Sequence, residues 1–397
     1  MDRIQNHPFW SKKLPFGLFA MGLFALLMSA TQLLSSDIYK IKYFLFSYVT
    51  AYFFYLAISM GSLFLVLIQH LAKGGWGVVL RRIPEHLMRS IPLMLILFIP
   101  IYLGLDVIFK WADPIYAAKD HLVQIKAPYL NKGFFVIRAI SYFVIWGLIT
   151  RFYYKQSVEQ DVDGDEKRTI KMQNRSAVCI LLFALSYTFA SFDWLMSLSP
   201  HWFSTIFGVY VFANSVLAAL CVISLFTMIL RRAGYLTDLI SVEHYHDLGK
   251  LIYGFVVFWA YISFSQYFLI WYANIPEETV WYSIRNAGNW ALFVKVMLFM
   301  HFVFPLFAFM SRYAKRNLKS HAAIISVVLI ACYLDFYFIV MPAFPKYSYY
   351  ANPLLDIGLL LGIGGIYSAV FIRRLNQTLL IPKKDPRLSE SVNFHNF

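Results

Sequence analysis

Asp193 and His201 stand eight residues apart in "SFDWLMSLSPHWFSTIFGVYVFAN" (191–214), between two very apolar runs and beside Trp194 and Trp202. A carboxylate and an imidazole can pass a proton between them, because histidine titrates near neutral pH. Asp106, Arg138, Lys295, His301, Asp335 and Asp356 also fall in or at the ends of apolar runs. Ionisable groups are costly inside a bilayer, so they pair, face water or protein, and often mark a path for ions or substrate. Asp106 and Arg138 are expected at similar depth in consecutive helices, where they could pair. So are Lys295 and Asp335, as a proton-exchanging pair or as static glue. His301 follows Lys295 by six residues, about 120° round a helix. The two are therefore not a dyad, but with water or Tyr333 they could be successive stations of one path.

These residues need elements of membrane length to position them. The 397-residue chain is 60% hydrophobic, 19% aromatic and only 14% charged, with a mean hydropathy of +0.60. An average soluble domain carries about 25% charged residues. Ten apolar runs are near the length that spans a bilayer as a helix. They are approximately 15–34, 43–71, 91–109, 133–151, 177–195, 204–230, 248–271, 289–310, 321–344 and 353–371. All are expected to be helical, since lipid-facing backbone must satisfy its own hydrogen bonds. The first run is longer than a signal core and lacks a small-x-small cleavage site, so it reads as a retained span. The expected fold is an all-α polytopic membrane protein in a single domain, 1–397. Residues 152–176 read as a cytoplasmic hydrophilic loop and 372–397 as a cytoplasmic tail.

The net charge is +14, but its distribution argues against nucleic acid. Of the 35 Lys and Arg residues, 25 lie in the termini and in the loops after the even-numbered runs. That is the positive-inside pattern with both termini cytoplasmic. On this topology Asp193 and His201 lie at the outer edge, close across a short hairpin: a proton exit or a structural lock. Trp194 and Trp202 would join the interfacial aromatic belt, and Ser199–Pro200 would start the next helical turn. Asp356 would lie just inside the outer end of the tenth run, where it could simply solvate that end.

Metal and cofactor signatures are sparse. Cys179, Cys221 and Cys332 lie in apolar runs and read as packing residues. There is no CxxCH, no CxxC set and no phosphate-binding glycine loop. His244 and His246 make an HxH pair, too few ligands for a metal site. His70, beside Gln69, could cap its helix or meet a quinone head group. Gly364 with Ser368, and Gly365 with Ala369, make a small-xxx-small pattern for close helix packing. That packing could be within the chain or against another subunit.

Three strings carry a resemblance: the 191–214 stretch, "GSLFLVLIQHLAKGGWGVVLRRIPEHL" and "NWALFVKVMLFMHFVFPLFAFMSRYAKRN". They resemble the F subunits of bacterial alternative complex III (ActF), and the likeness extends from the second run to the tenth. The GS…GGW…RR…E string is shared more widely with the related NrfD-like quinol-interacting subunits. The resemblance implies a bacterial inner-membrane subunit of a quinol-oxidising respiratory complex. It implies two four-helix bundles (43–195 and 204–344) with 15–34 and 353–371 peripheral. It implies partners that carry the redox groups: multihaem cytochrome c subunits with haem c, an iron–sulfur subunit, a sister NrfD-like membrane subunit and, as an acceptor, a terminal oxidase. Menaquinone or another quinol is the implied substrate of the complex. No covalent cofactor is expected on this chain. The matching polar positions are His70, Arg82 and Glu85; Asp193, His201 and Trp202; Lys295 and His301.

Two functions remain open from the sequence. One is a proton-conducting or structural subunit, with Lys295, Asp335 and His301 leading to an exit near Asp193 and His201. The other is a quinol-binding subunit, with Asp193, His201 and Asp106 as local proton acceptors. A secondary transporter is a weaker third reading, since no matched pair of broken helices is visible.

Overall fold

A computed structural model describes residues 9–345 and 347–395. Ten helices among them are long and apolar enough to cross a membrane. They are α1 (Trp10–Leu34), α2 (Ile38–Leu71), α3 (Val78–Leu103), α4 (Lys132–Asp163), α5 (Glu166–Leu198), α6 (Phe207–Arg232), α7 (Val242–Ala273), α8 (Asn289–Ala308), α9 (Leu318–Ala343) and α10 (Pro353–Leu375). No strand occurs among the described residues. The chain is an all-α multi-pass membrane protein.

Helix α2 is the hub. It packs against α3, α5, α6, α9 and α10, and almost every residue from Tyr43 to Leu67 is buried. Helix α7 packs on α6 and α8, α8 packs on α9, and α1 rests on α10. The outward surfaces of α1, α4, α5, α7 and α8 carry exposed Leu, Ile, Val and Phe, as a lipid-facing perimeter requires.

Local signals set the helix ends. Asp37, Asn131, Asp165, Asn317 and Asn352 each cap a helix by accepting a backbone N–H with the side chain. Pro305 has no N–H to offer the carbonyl of His301, and α8 widens into a π-helical turn over Phe299–Val303.

The described ends of both termini share one face, here the terminal face. Asn376 donates to the carbonyls of Trp10 and Ser11 there. The hydrophilic stretch 152–176 is not a loop. α4 runs to Asp163, Gly164 turns with φ 73°, and α5 begins at Glu166. Charged residues prolong these two helices beyond the apolar span, because they satisfy their own backbone in water as well as in lipid. The tail folds back too: Lys383 N–H binds Asp161, and the Ser391 hydroxyl binds the Trp76 carbonyl. At the other end, the opposite face, α6 begins at Phe207 and not at Ser199–Pro200. Residues 199–206 are spent on turns that tie this hairpin to the α3–α4 connection.

The small residues of α10 serve packing inside the chain. A Cβ on Gly22 would fall 2.7 Å from the Gly362 carbonyl oxygen, and one on Gly365 would fall 2.6 Å from the Leu18 carbonyl oxygen. Gly364 makes room instead for the Tyr55 hydroxyl, which would lie 2.0 Å from an added Cβ.

Candidate functional site

Three buried carboxylates lie toward the opposite face, each in a different chemical setting. Asp193 on α5 is 1% exposed. Arg138 on α4 grips it with both prongs, Nε to Oδ2 at 2.7 Å and Nη2 to Oδ1 at 3.1 Å. The Tyr142 hydroxyl adds a bond of 2.7 Å, and Arg138 Nη1 donates to the Tyr129 carbonyl. The guanidinium also lies over the rings of Tyr129 and Phe134. A bidentate pair with its remaining donors occupied is a fixed ion lock.

Three sequence expectations are corrected here. Arg138 pairs with Asp193 and not with Asp106, which lies half-exposed and takes Lys132 at 2.6 Å. Asp193 is buried and does not meet His201. His201 reaches Asp120 instead, 2.6 Å away at the surface. Trp194 and Trp202 face protein and not an interfacial belt. Trp194 packs among Phe98, Tyr142, Phe143 and Trp146, and Trp202 stacks on Trp281 at 4.4 Å.

Asp335 on α9 is fully buried. It accepts from the Tyr210 hydroxyl and from Trp259 Nε1 at 3.1 Å. His301 stacks on Trp259 with ring centroids 3.7 Å apart, and its Nε2 lies 3.8 Å from Cys332 Sγ. Asp335 and His301 therefore share a site, but Lys295 is not part of it. Lys295 lies on the exposed side of α8, and the described residues offer it no ion-pair partner. It sits about 9 Å along the helix from Asn289, a depth from which a lysine stem reaches the headgroup layer. The expected Lys295–Asp335 pair fails because α8 turns that face outward, with Leu292, Val296 and Phe299.

Asp356, at the start of α10, is 6% exposed. Its carboxylate accepts from Tyr43 (2.8 Å), Ser47 (2.6 Å) and Tyr337 (2.9 Å). Tyr337 in turn meets the Tyr347 hydroxyl at 2.9 Å. This is a cage of hydroxyls that no cation enters among the described residues, so Asp356 does more than solvate a helix end. A polar cavity of about 550 Å³, lined by Gln32, Asp37, Lys40, Tyr43, Tyr350 and Asn352 among others, opens beside it on the opposite face.

From Asp356 a stripe of hydroxyls follows α2 across the molecule. Tyr43, Ser47, Tyr55, Ser59 and Ser62 recur at spacings of four, eight, four and three, which keeps them on one helical face. The stripe covers about 28 Å of helix, close to the thickness of a hydrocarbon core. Tyr55 donates to the Leu360 carbonyl at 3.0 Å, and Ser59 meets the Tyr367 hydroxyl at 2.8 Å. Tyr367 reaches the Leu87 carbonyl at 3.4 Å. Between Ser47 and Tyr55 the next place on this face is Ala51, which has no hydroxyl. Tyr333 of α9 approaches there. Its ring stands edge-on to Phe54, with centroids 5.7 Å apart. Its own hydroxyl is buried without a partner.

The terminal face holds the other charge cluster. Glu85 accepts from Arg81 (3.3 Å), Arg82 (2.9 Å) and Ser157 (2.8 Å). Arg81 also pairs with Asp385, and Arg82 with Asp161. Arg82 and Glu85 are thus paired with each other and tied to α4 and the folded-back tail. His70 lies against the Tyr153 ring, with Nε2 unpartnered. His244 caps α7 through Ser241 and meets the Ser391 carbonyl at 3.0 Å, a structural role. Among the described residues no group of three or more His, Cys, Asp or Glu is placed to hold a metal.

The sequence reading missed the partners that define the two cation-free carboxylates: Tyr210 and Trp259 at Asp335, and Tyr43, Ser47 and Tyr337 at Asp356. The four-residue spacings Tyr43–Ser47 and Tyr333–Tyr337 were the available signal. It also missed Arg285, buried on the helix Pro276–Arg285, whose guanidinium binds the Phe338 and Ile339 carbonyls at the end of α9. No family model matches the chain, and no curated protein matches it.

Proposed function

We propose that this chain is a proton-conducting membrane subunit of a respiratory quinol-oxidising complex, located in the bacterial inner membrane with both termini cytoplasmic. The observation that carries the proton path is the Asp356 cage with the hydroxyl stripe leading from it. A carboxylate held only by hydroxyls, without a cation, can take up a proton and pass it on, whereas a guanidinium-locked carboxylate stays ionised. The path runs from the terminal face through Tyr367, Ser59 and Tyr55, across Tyr333, to Asp356 and the polar cavity. Tyr333 supplies the missing rung by rotating an unpartnered hydroxyl. Asp335, with His301, is a second proton-holding site beside this path. Lys295, Asp193 and His201 take no part in it.

The respiratory setting rests on the resemblance to alternative complex III. In that setting the haem c and iron–sulfur groups belong to partner subunits, and quinol oxidation next door drives proton release. Two measurements test the two parts separately. Mass spectrometry of the native complex should find multihaem cytochrome and iron–sulfur subunits with this chain; recovery of the chain alone would remove the respiratory assignment. In that complex, Asp356→Asn should lower proton release per electron severalfold while assembly persists. Unchanged release would remove the path.

A second reading, quinol binding, is favoured by one cavity. A space of about 400 Å³ near the opposite face is lined by Ile125, Tyr129, Phe189, Phe192, Trp202 and Phe203 among others, with Lys126 at its edge. Its aromatic walls suit a flat quinone ring, and Tyr129 stands between it and the Arg138–Asp193 lock. Labelling of this chain by a photoreactive quinone analogue, lost in Trp202→Ala, supports this reading; labelling confined to another subunit removes it.

A further inference from the structure

On the terminal face, α3 and α4 both pass from charge to apolar surface at the same level. Arg89 directly precedes the apolar part of α3, and Arg151 directly follows the apolar part of α4. Between them lies a cavity of about 460 Å³ lined by Arg89, Arg151, Tyr154, Lys155, Val158 and Glu159.

The charges around this cavity do not balance. The Arg89 guanidinium lies 5.0 Å from the centre of the Tyr154 ring, and its Nε is buried with no hydrogen-bond partner. Arg374 donates to the Arg89 main-chain carbonyl and so adds a second cation at this end of α3. Arg151 has no carboxylate partner among the described residues. Glu159, the one acid in the lining, is already held by Arg168 at 2.5 Å and by Lys155 at 3.6 Å. Glu85 nearby is used by Arg81, Arg82 and Ser157. Several cations at the edge of low-dielectric surroundings call for an anion.

We propose that this cavity binds the phosphate diester of an anionic phospholipid, with Arg89 and Arg151 on the phosphate oxygens and Lys155 adding charge. Guanidinium groups match phosphate oxygens two at a time, and the cavity lies at headgroup level. The neighbouring surface accounts for the tail. Ile137, Ile140, Val144 and Leu148 are exposed in a line on α4 that continues into Arg151 and Lys155. Leu95, Ile96 and Ile99 are exposed on α3. An acyl chain from the bound headgroup would run along these side chains. The proposal is independent of proton conduction and of the respiratory setting.

The test uses the full chain in detergent, with native mass spectrometry of retained lipid. The probes are phosphatidylglycerol and phosphatidylcholine with the same acyl chains, each with and without excess inorganic phosphate. Phosphatidylglycerol should be retained over phosphatidylcholine. Arg151→Gln and Lys155→Gln, both exposed and harmless to folding, should each weaken its retention about fivefold. Arg89→Gln should weaken it further. Equal retention of the two lipids, or undiminished retention in the Arg151→Gln Lys155→Gln double variant, would overturn the site. Displacement of phosphatidylglycerol by inorganic phosphate would overturn the lipid assignment in favour of a soluble phosphate.

Discussion

Asp193 and Asp356 are both buried acids near the same face, and they solve the cost of burial in opposite ways. Asp193 has a guanidinium, gripped on both oxygens by Arg138, with a further bond from Tyr142. Asp356 has three hydroxyls and, among the described residues, no cation. The first arrangement fixes α4 against α5. The second leaves a carboxyl whose charge depends on a proton. The position of an acid in the membrane therefore says less about its role than the chemistry of the groups that touch it.

The largest effect should come from breaking the lock. Asp193→Asn leaves Arg138 buried with its charge uncompensated, a loss of about 3–5 kcal/mol. Thermal unfolding in detergent should fall far below wild type, whereas Asp356→Asn, which removes no cation's partner, should fall much less. Equal losses in the two variants would erase the distinction. Next in size is Gly364→Ala. Its methyl collides with the Tyr55 hydroxyl and should cost about 1–3 kcal/mol, with slower proton release because the Tyr55–Tyr367 step is displaced. Tyr333→Phe sharpens the comparison differently. The lost hydroxyl has no partner, so melting should stay within about 0.5 kcal/mol of wild type while proton release drops. A drop in stability without a drop in release would make Tyr333 a packing residue.

The smallest effect concerns the surface pair His201–Asp120. Loss of water would raise the Asp120 carboxyl, but hydrogen bonds from His201, the Val123 amide and Tyr116 outweigh it and hold the group below its ordinary range. A carboxyl lowered on folding favours the folded state above its ordinary range. That contribution disappears as pH falls through the lowered value. His201→Asn should therefore lower stability slightly at neutral pH, flatten the acid limb of a stability–pH profile, and leave the strongly acidic end unchanged. A large change at neutral pH would give this hairpin a role beyond anchoring.

The membrane helices were legible because length and hydropathy are properties of single segments. Lys295 was the least legible of the candidates, because depth along a helix does not tell which way its face turns. Pairing was the less legible part. Asp106, Arg138 and Asp193 come from three segments, and sequence order favoured the wrong neighbour. Asp356 read as a helix-end acid because its partners come from α2 and α9, some 310 and 19 residues away in the chain. The hydrophilic stretch 152–176 read as a loop because charge was taken to end a helix, when it ended only the apolar span.

The contact between Gly22 and Gly365 has a consequence for how the protein is made. Of these ten spans, the first to leave the ribosome rests on the last. Until α10 has been synthesised, α1 has no seat, and it must wait in the bilayer as a lone hydrophobic span while eight others are inserted. Closing that contact is the step that joins the outermost two of the ten spans. Truncation before Pro353 would therefore leave two surfaces orphaned, the stranded first helix and the Tyr43 side of α2, even though nine spans had already been inserted.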